Sequence, residues 1–442
     1  ERPARAVTSA IAGARIDAPT DAARAAEPRL EACNPAPPVA LYVHVPFCVS
    51  HCPYCDFVVV SGREAVGPAN RIAAFIEAVL AEMRLRADEL DRRFGAPSPG
   101  GARPSLGSLY LGGGTPSLLP AAALEELIDV VGARYGLAGD AEITLEVNPG
   151  PDERGEAAAQ RAAGVTRISV GVQSFDRAEL RSLGRRHAPE DVAATVRAAR
   201  RAGIGSVSLD LLYDLPLQTI DGWRATLEAA LALEPDHVSA YALTLDDPDA
   251  DGLTGHGGDH LPLRPGARRW RDRARADQDE DRAAAMYELA DDLLAAAGFG
   301  WYEISNWAHQ GHRSRHNLAY WRAEPFEAVG PGAHAFDGAT RRWNAARLDG
   351  YLGALLPGGG SPPRLPPGGL EPSSESGSDG ERAMLALRTD AGLPARELGE
   401  PTVRAALAWA MDAGLLDRTA QDRLVLTRRG RLLSNELFAR LV

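Results

Sequence analysis

Three of the four cysteines, Cys48, Cys52 and Cys55, fall within eight residues of one another in the stretch YVHVPFCVSHCPYCDF, with the spacing C-x3-C-x2-C. Three thiolates on one short loop suit three irons of a [4Fe–4S] cubane. Most such clusters take four cysteines, so a set of three leaves one iron open to a small molecule. A zinc site completed by His44 or His51 as Cys3His is the other chemistry this spacing allows. Cys33, in a Pro-flanked stretch well before the loop, reads as a bystander. A tight cluster of this kind, unlike thiols spread along the chain, points to metal or redox chemistry in a reduced compartment, so a cytoplasmic protein is expected.

Other residues with chemical potential follow in order. Gly112, Gly113 and Gly114 precede Thr115-Pro116 and end an apolar run, where a loop without side chains lets backbone groups approach a ligand. Glu146 and Gln173 sit at or just past the ends of later apolar runs, and Asp210 lies in LDLLYDLP. Arg185, in LGRRH, has the planar guanidinium that forms bidentate pairs with carboxylates. Each of these alone also reads as an ordinary surface polar group. In SRHNLAYWR, His316 and Asn317 are followed by Tyr320 and Trp321, an imidazole with two aromatic rings. That grouping offers a ligand for iron beside a flat apolar face, or simply a hydrogen-bonded structural histidine.

The elements that must position these groups alternate. Six short apolar runs, Leu41 to Val45, Ser108 to Gly112, Glu142 to Val147, Arg167 to Val172, Ser206 to Leu212 and His237 to Leu243, read as strands. The stretches Arg71 to Arg93, Ala121 to Tyr135, Asp152 to Ala163, Pro189 to Ala202 and Asp221 to Leu233 read as helices between them. Right-handed crossovers make this an α/β protein with a parallel sheet, open or barrel-like, whose site residues gather at the strand C-termini.

The chain divides into a disordered tail over 1–38 and a barrel core over 39–245. A charged surface loop with a connecting helix is expected over 246–282, then an ordered region over 283–356 that holds the aromatic motif. A flexible Pro/Gly/Ser linker follows over 357–380, and a small winged-helix-like module over 381–442. Acidic residues spread through that last module favour packing or partner contact over DNA binding.

Composition narrows the chemistry. The 442 residues include 48 cationic side chains, all arginine, against 60 acidic ones, a formal net charge of −12. Absence of lysine excludes a P-loop lysine, a kinase ATP lysine and a lysine Schiff base. The negative balance repels phosphate backbones, so nucleic acid is not expected as a partner. No apolar run approaches the roughly 20 residues of a membrane span, which leaves peripheral contact as the one membrane role to consider.

The ordered motifs YVHVPFCVSHCPYCDF, YLGGGTPSLL, EVNPG, ISVGVQSF, LGRRH and LDLLYDLP resemble the radical S-adenosylmethionine (SAM) superfamily. Within it they are similar to the oxygen-independent coproporphyrinogen III dehydrogenase subfamily. The resemblance runs from about Leu41 to Arg347 and implies a partial (β/α)6 barrel with a C-terminal α+β extension. It implies a [4Fe–4S] cluster on Cys48, Cys52 and Cys55 whose open iron holds SAM. By the same resemblance Tyr42, Phe57, Gly113, Gly114, Thr115, Glu146, Gln173, Arg185 and Asp210 contact the cofactor. H-N-x-x-Y-W, with the neighbouring YEISNWA and VGPGAHAF, resembles the heme-chaperone branch of that subfamily. That implies heme as cargo, an acceptor apoprotein as partner and His316 as the ligand. His187, His237, His309, His312 and His334 stand as secondary candidates; His44 and His51 lie too near the cluster, and His256 and His260 fall in the charged loop. Position 57 holds Phe57 where the dehydrogenase carries a further cysteine, so decarboxylation of coproporphyrinogen is not expected. That dehydrogenase activity and a zinc-containing binding protein are the alternatives.

Overall fold

Every second residue of the expected strands is apolar, and these side chains cover one face of a sheet against which helices pack. The computed structural model describes residues 35–98, 101, 103–245, 265–372, 378–396 and 400–442. Its first strand, β1 (Ala40–Val45), leads into the short parallel pair β2 (Phe47–Cys48) and β3 (Val60–Ser61). Then α1 (Ile72–Phe94) crosses to β4 (Leu106–Gly113), α2 (Ala121–Arg134) to β5 (Leu137–Val147) and α3 (Ala157–Ala162) to β6 (Arg167–Gln173). Two helices, α4 (Arg177–Ser182) and α5 (Pro189–Ala202), precede β7 (Ser206–Tyr213), and α6 (Ile220–Leu231) precedes β8 (His237–Ala242).

The six strands β1, β4, β5, β6, β7 and β8 lie side by side in chain order, all parallel. Val43, Leu109, Leu111, Leu145, Val170, Leu209 and Val238 are fully buried against the helices. Residues one position off that pattern point the other way and are polar: Tyr110, Glu146, Ser169, Asp210 and Ser239 line an interior cavity. Because β1 and β8 do not pair with each other, the barrel stays open. The β8 edge takes the antiparallel pair β9 (Gly300–Glu303) and β10 (Asn306–Ala308).

Two helices, α7 (Pro265–Asp277) and α8 (Glu280–Ala296), precede that pair, and α9 (Arg315–Trp321) follows it. The β1 edge takes β11 (Phe326–Val329) in parallel and then β12 (His334–Phe336), β13 (Thr340–Asn344) and β14 (Gly368–Pro372) antiparallel, with α10 (Leu348–Leu355) between the last two. A C-terminal module holds α11 (Ser378–Leu387), β15 (Leu393–Pro394), α12 (Pro401–Asp412), β16 (Leu416–Arg418), β17 (Arg423–Leu426), α13 (Arg428–Leu432) and α14 (Ser434–Leu441). Its three strands form their own antiparallel sheet over a core of Leu387, Leu407, Ala410, Leu437 and Phe438.

Three expectations need correction. The charged stretch 246–282 is not simply a solvated loop with one helix. Residues 246–264, with His256 and His260, lie outside the described residues, but α7 buries Trp270, Arg271 and Ala274 along one side, and the boundary at 282 falls inside α8. The linker over 357–380 contains β14, because its glycines serve close packing: a Cβ at Gly368 would collide with the Trp343 carbonyl, and one at Gly369 with the Trp343 ring. The C-terminal module begins within α11 at Ser378, three residues ahead of its expected start. Residues 1–34, with Cys33, lie outside the described residues, as do 373–377; of the expected tail, 35–38 are described. Among the described residues no helix is long and apolar enough to cross a membrane.

One buried carboxylate ties the extension to the barrel. Glu82 of α1 is fully buried and accepts from the Gly330 N–H (2.9 Å), the Tyr351 hydroxyl (2.8 Å), Asn344 Nδ2 (2.8 Å) and Arg86 Nε (3.3 Å). Its partners come from the loop after β11, from β13 and from α10, so the carboxylate crosses from the first crossover helix to the added strands. Removing one partner of a buried ion pair leaves the other charge uncompensated, at a cost of about 3–5 kcal/mol. Glu82→Ala should therefore lower stability by about that amount in urea denaturation, and Glu82→Gln by less; an unchanged midpoint for Glu82→Ala would show that water replaces the network.

Candidate functional site

The loop carrying the three cysteines leaves β1 at the C-terminal edge of the sheet. Its ends are drawn together by β2 and β3, with the Val60 N–H donating to the Pro46 carbonyl at 2.6 Å. Cys55 N–H donates back to the Cys52 carbonyl at 3.2 Å, a tight turn that holds the last two thiols near each other. From α7, Arg271, 1% exposed, donates to the carbonyls of Pro53 (2.9 Å), Tyr54 (3.1 Å) and Cys55 (3.2 Å), and pairs with Asp56. Its neighbour Trp270 packs beside Tyr54, with ring centroids 6.4 Å apart, and donates to Ser182 Oγ at 3.2 Å.

Cys48, Cys52 and Cys55 are half-buried and all line one cavity of about 360 Å³. Burial pushes the Cys48 and Cys55 thiols up to about 12, so they ionise readily only when a cation takes up the charge. Thr115 Oγ1 donates to Cys48 Sγ at 3.5 Å, and Arg185 Nη1 to Cys52 Sγ at 3.8 Å. Among the described residues no group of three or more His, Cys, Asp or Glu side chains closes on a single ion. A cubane asks for something else, one thiolate at each of three irons. For a zinc alternative, His44 has its Nε2 2.8 Å from the Val58 carbonyl and its Nδ1 3.1 Å from the Tyr42 hydroxyl, so neither nitrogen is aimed at the thiols.

The opposite wall is built from strand ends. Gly113 has φ +108, and a Cβ there would meet the His44 ring at 2.5 Å, so only glycine fits. Its N–H donates to Glu146 Oε2 at 2.9 Å, and the Tyr110 hydroxyl donates to Oε1 at 3.0 Å. Burial first, and then the charge of Asp210, push the Glu146 carboxyl up to about 7. Asp210 accepts from Ser169 Oγ (2.8 Å) and Ser208 Oγ (3.2 Å), and burial raises its pKa as well. Arg185 Nη2 donates to Asn148 Oδ1 (2.6 Å) and to the Gly171 carbonyl (2.8 Å). Gln173 holds a left-handed φ of +63, and its Oε1 is buried without a partner beside the cavity. An acceptor left like this calls for a donor from a ligand.

The structure thus brings together Cys48, Cys52, Cys55, Phe57, Gly113, Gly114, Glu146, Gln173, Arg185 and Asp210 around one cavity. Phe57 is 63% exposed. Tyr42 and Thr115 stand behind the lining: Tyr42 packs against Tyr110 with centroids 6.1 Å apart, and Thr115 takes a hydrogen bond from Asn148 Nδ2 at 2.9 Å while supporting Cys48.

His316 differs from its expected presentation. Glu142 of β5 accepts from the backbone N–H groups of Arg315 (3.1 Å) and His316 (3.4 Å), and Ser314 caps α9 by accepting from the Asn317 N–H at 3.3 Å. This seats the helix against the sheet. His316, 1% exposed, has Nδ1 3.0 Å from Ser108 Oγ and Nε2 2.7 Å from the Tyr320 hydroxyl. Burial and the nearby Arg167 lower its imidazole to about 3. Both nitrogens are engaged, so the ring is not open to a metal in this arrangement, and Asn317 is the motif residue that reaches the cavity. Of the secondary candidates, His187 faces the Val172 carbonyl (3.2 Å), His237 faces Ser208 (2.8 Å) and Tyr302 (2.8 Å), and His309 faces the Gly298 carbonyl (3.2 Å). His312 faces Ser206 (3.2 Å), and exposed His334 packs beside Trp343. His51 alone among the described histidines lines the cavity.

Asn148, Arg271 and Arg167 belong to this region and were not singled out by sequence. Asn148 lies inside EVNPG, whose register at a strand end was the available signal. Arg271 was hidden in a charge run, although Trp270 and Ala274, four apart on a helix, marked a buried side.

The Radical SAM superfamily model matches residues 42–230 of this chain. The structure of coproporphyrinogen III oxidase (HemN) from Escherichia coli is similar in fold, with a TM-score of 0.71 at 23% identity over 93% of this chain and 91% of that one. Fold and cysteine loop together make this a radical SAM protein. A heme chaperone HemW from Mycobacterium tuberculosis H37Rv is 38% identical over 401 residues, 91% of this chain and 94% of its own length. HemW from Escherichia coli K12 is 36% identical over 298 residues, 67% of this chain and 70% of its own. The chain belongs to the HemW family.

Arg271 holds three carbonyls of the cysteine loop, and hydrogen bonds from a charged donor contribute about 1.5–3 kcal/mol each. Arg271→Ala should raise the reactivity of the loop thiols toward a disulfide reagent by roughly tenfold or more, whereas exposed Arg268→Ala should leave it unchanged. Equal thiol reactivity in both variants would mean that β2 and β3 hold the loop alone.

Proposed function

We propose that this chain is a heme chaperone that binds heme and delivers it to an acceptor apoprotein in the cytoplasm, on a scaffold carrying a [4Fe–4S] cluster and exchangeable SAM. The observation that carries this reading is the match along 91% of the chain to a protein named a heme chaperone. The cavity supports the cofactor assignments. Cys48, Cys52 and Cys55 would hold three irons, and the fourth iron would bind the amino and carboxylate groups of SAM. Glu146 keeps lone pairs free beyond its bonds to Gly113 and Tyr110, so it suits the ammonium. Arg185, fixed by Asn148, suits the carboxylate, and the unpartnered Gln173 Oε1 suits a further donor of the same ligand.

A radical decarboxylase of coproporphyrinogen is the second reading, favoured by the intact frame of the cavity. Phe57 stands against it, as an exposed aromatic ring where that enzyme carries a thiol. Anaerobic reconstitution with iron and sulfide should give about four irons per chain, lost in each of Cys48→Ala, Cys52→Ala and Cys55→Ala and retained in Cys33→Ala. Arg185→Ala should weaken SAM binding by roughly tenfold or more. The reconstituted protein should take up heme without converting coproporphyrinogen III. One zinc and no iron would overturn the cluster, and robust turnover would overturn the chaperone reading.

For heme ligation by His316, Nε2 must part from Tyr320 first. Tyr320→Phe removes that competitor and keeps the imidazole, so it should preserve or strengthen heme binding, whereas His316→Ala should weaken it and move the Soret band. If both variants match wild type, the ligand lies elsewhere, with cavity-facing His51 the next to replace.

A further inference from the structure

Arg167 opens β6 and points into the barrel, in the row of paired residues that runs Tyr42, Tyr110, Thr144, Arg167 and Ser206 across neighbouring strands. It is 3% exposed and lines the same cavity as the three cysteines. Its guanidinium makes no hydrogen bond and no ion pair among the described residues, and its Nε is buried without a partner. Glu142, Asp210 and Glu146 act on it as charges without hydrogen-bonding it. Glu142 accepts from the backbone N–H groups of Arg315 and His316, while Asp210 accepts from Ser169 and Ser208. Around them stand the phenols of Tyr110 and Tyr302 and the imidazoles of His237 and His316, none of which brings a negative charge.

A guanidinium stays charged at any accessible pH. Burial opposes that charge, Glu142 and Asp210 offset the cost from nearby, and the Nε donor is left without a hydrogen-bond acceptor. Gln173 Oε1 and Arg185 Nε are the other buried, unpartnered atoms on residues that line this cavity. Arg167 is at the deep end of the cavity, since it lies six residues before Gln173 on β6, about 20 Å along the strand. Arg185, the other arginine in reach of a ligand carboxylate, is at the cysteine end and bonded to Asn148.

We propose that Arg167 forms an anion subsite at the deep end of the cavity that takes a carboxylate of a ligand bound together with SAM. The assignment rests on the heme-carrying reading for its source, a propionate of the porphyrin. Planar bidentate pairing is what a guanidinium offers a carboxylate.

The test uses the reconstituted full chain and compares heme with heme dimethyl ester, which keeps the macrocycle and loses both carboxylates. Wild type should bind heme about tenfold or more tightly than the diester. Arg167→Gln should bring heme down to the diester level without changing the diester, and Arg167→Lys should recover part of the difference. Crystals soaked in 3-bromopropionate should show the bromo-acid carboxylate on the Arg167 guanidinium in wild type and not in Arg167→Gln. If heme and diester bind wild type equally and the bromo-acid is absent from Arg167, the subsite is overturned while the chaperone reading stands. If the bromo-acid occupies Arg167 but heme does not bind at all, the subsite stands and the chaperone reading fails. If Arg167→Gln weakens SAM and leaves heme unchanged, the carboxylate is that of SAM and the second-ligand assignment is overturned.

Discussion

The site depends on how closely the glycine loop after β4 approaches the strand that leads to the cysteines. A Cβ at Gly113 would strike the His44 ring, and one at Gly114 would lie 2.6 Å from the Phe47 carbonyl. With side chains absent there, the Gly114 N–H donates to Val45 and the Thr115 N–H to Phe47, at 2.8 and 2.7 Å. Two walls of the cavity are thereby locked at backbone distance. The same loop then presents Thr115 Oγ1 to Cys48 and the Gly113 N–H to Glu146. The distance between thiols and carboxylate is thus set by main chain rather than by flexible side chains, which is what a cofactor bridging both needs.

An interior lined by polar groups is the cost of this arrangement, and the fold contains it by pairing those groups with one another. Serines take up much of it: Ser169 and Ser208 bond Asp210, Ser108 bonds His316, and Ser208 bonds His237. Short hydroxyls satisfy buried charges without filling the space between strands. Gln173 Oε1 and Arg185 Nε toward the cysteine end, and Arg167 Nε at the other, are buried without a partner on residues lining one cavity. Unpartnered groups that border open space mark where ligand atoms belong.

Legibility in the sequence followed the physics of each signal. The six parallel strands were readable because strands buried by helices on one face must alternate with a period of two, and the cysteine loop because three thiols in eight residues have few structural uses. Composition misled where residues do something other than their average. Gly368 and Gly369 read as flexible linker, yet they permit β14 to lie against Trp343. Arg271 read as a solvated charge, yet it is among the most buried arginines and grips the cysteine loop through carbonyls, which carry no sequence signal at all. His316 read either as an iron ligand or as a hydrogen-bonded structural histidine, because spacing cannot reveal that Ser108, some two hundred residues earlier, occupies its second nitrogen.

The aromatic motif also joins parts of the chain that the strand pattern does not. On α9, His316 packs among Tyr42, Tyr110 and Tyr320, and Asn317 reaches the cavity, while Trp321 lies under the Arg388 guanidinium at 5.2 Å. Arg388 in turn covers Phe438 of the C-terminal module at 4.8 Å. Seven helical residues therefore link the barrel interior to the small module through one stacked cation. Each end has its own requirement, an imidazole that satisfies Ser108 on one side and a ring that holds a desolvated arginine on the other. His316 and Trp321 meet these two requirements from one helix because, five residues apart, they stand on different faces of it. One short helix thus packs against the barrel interior through His316 and against the C-terminal module through Trp321 and Arg388.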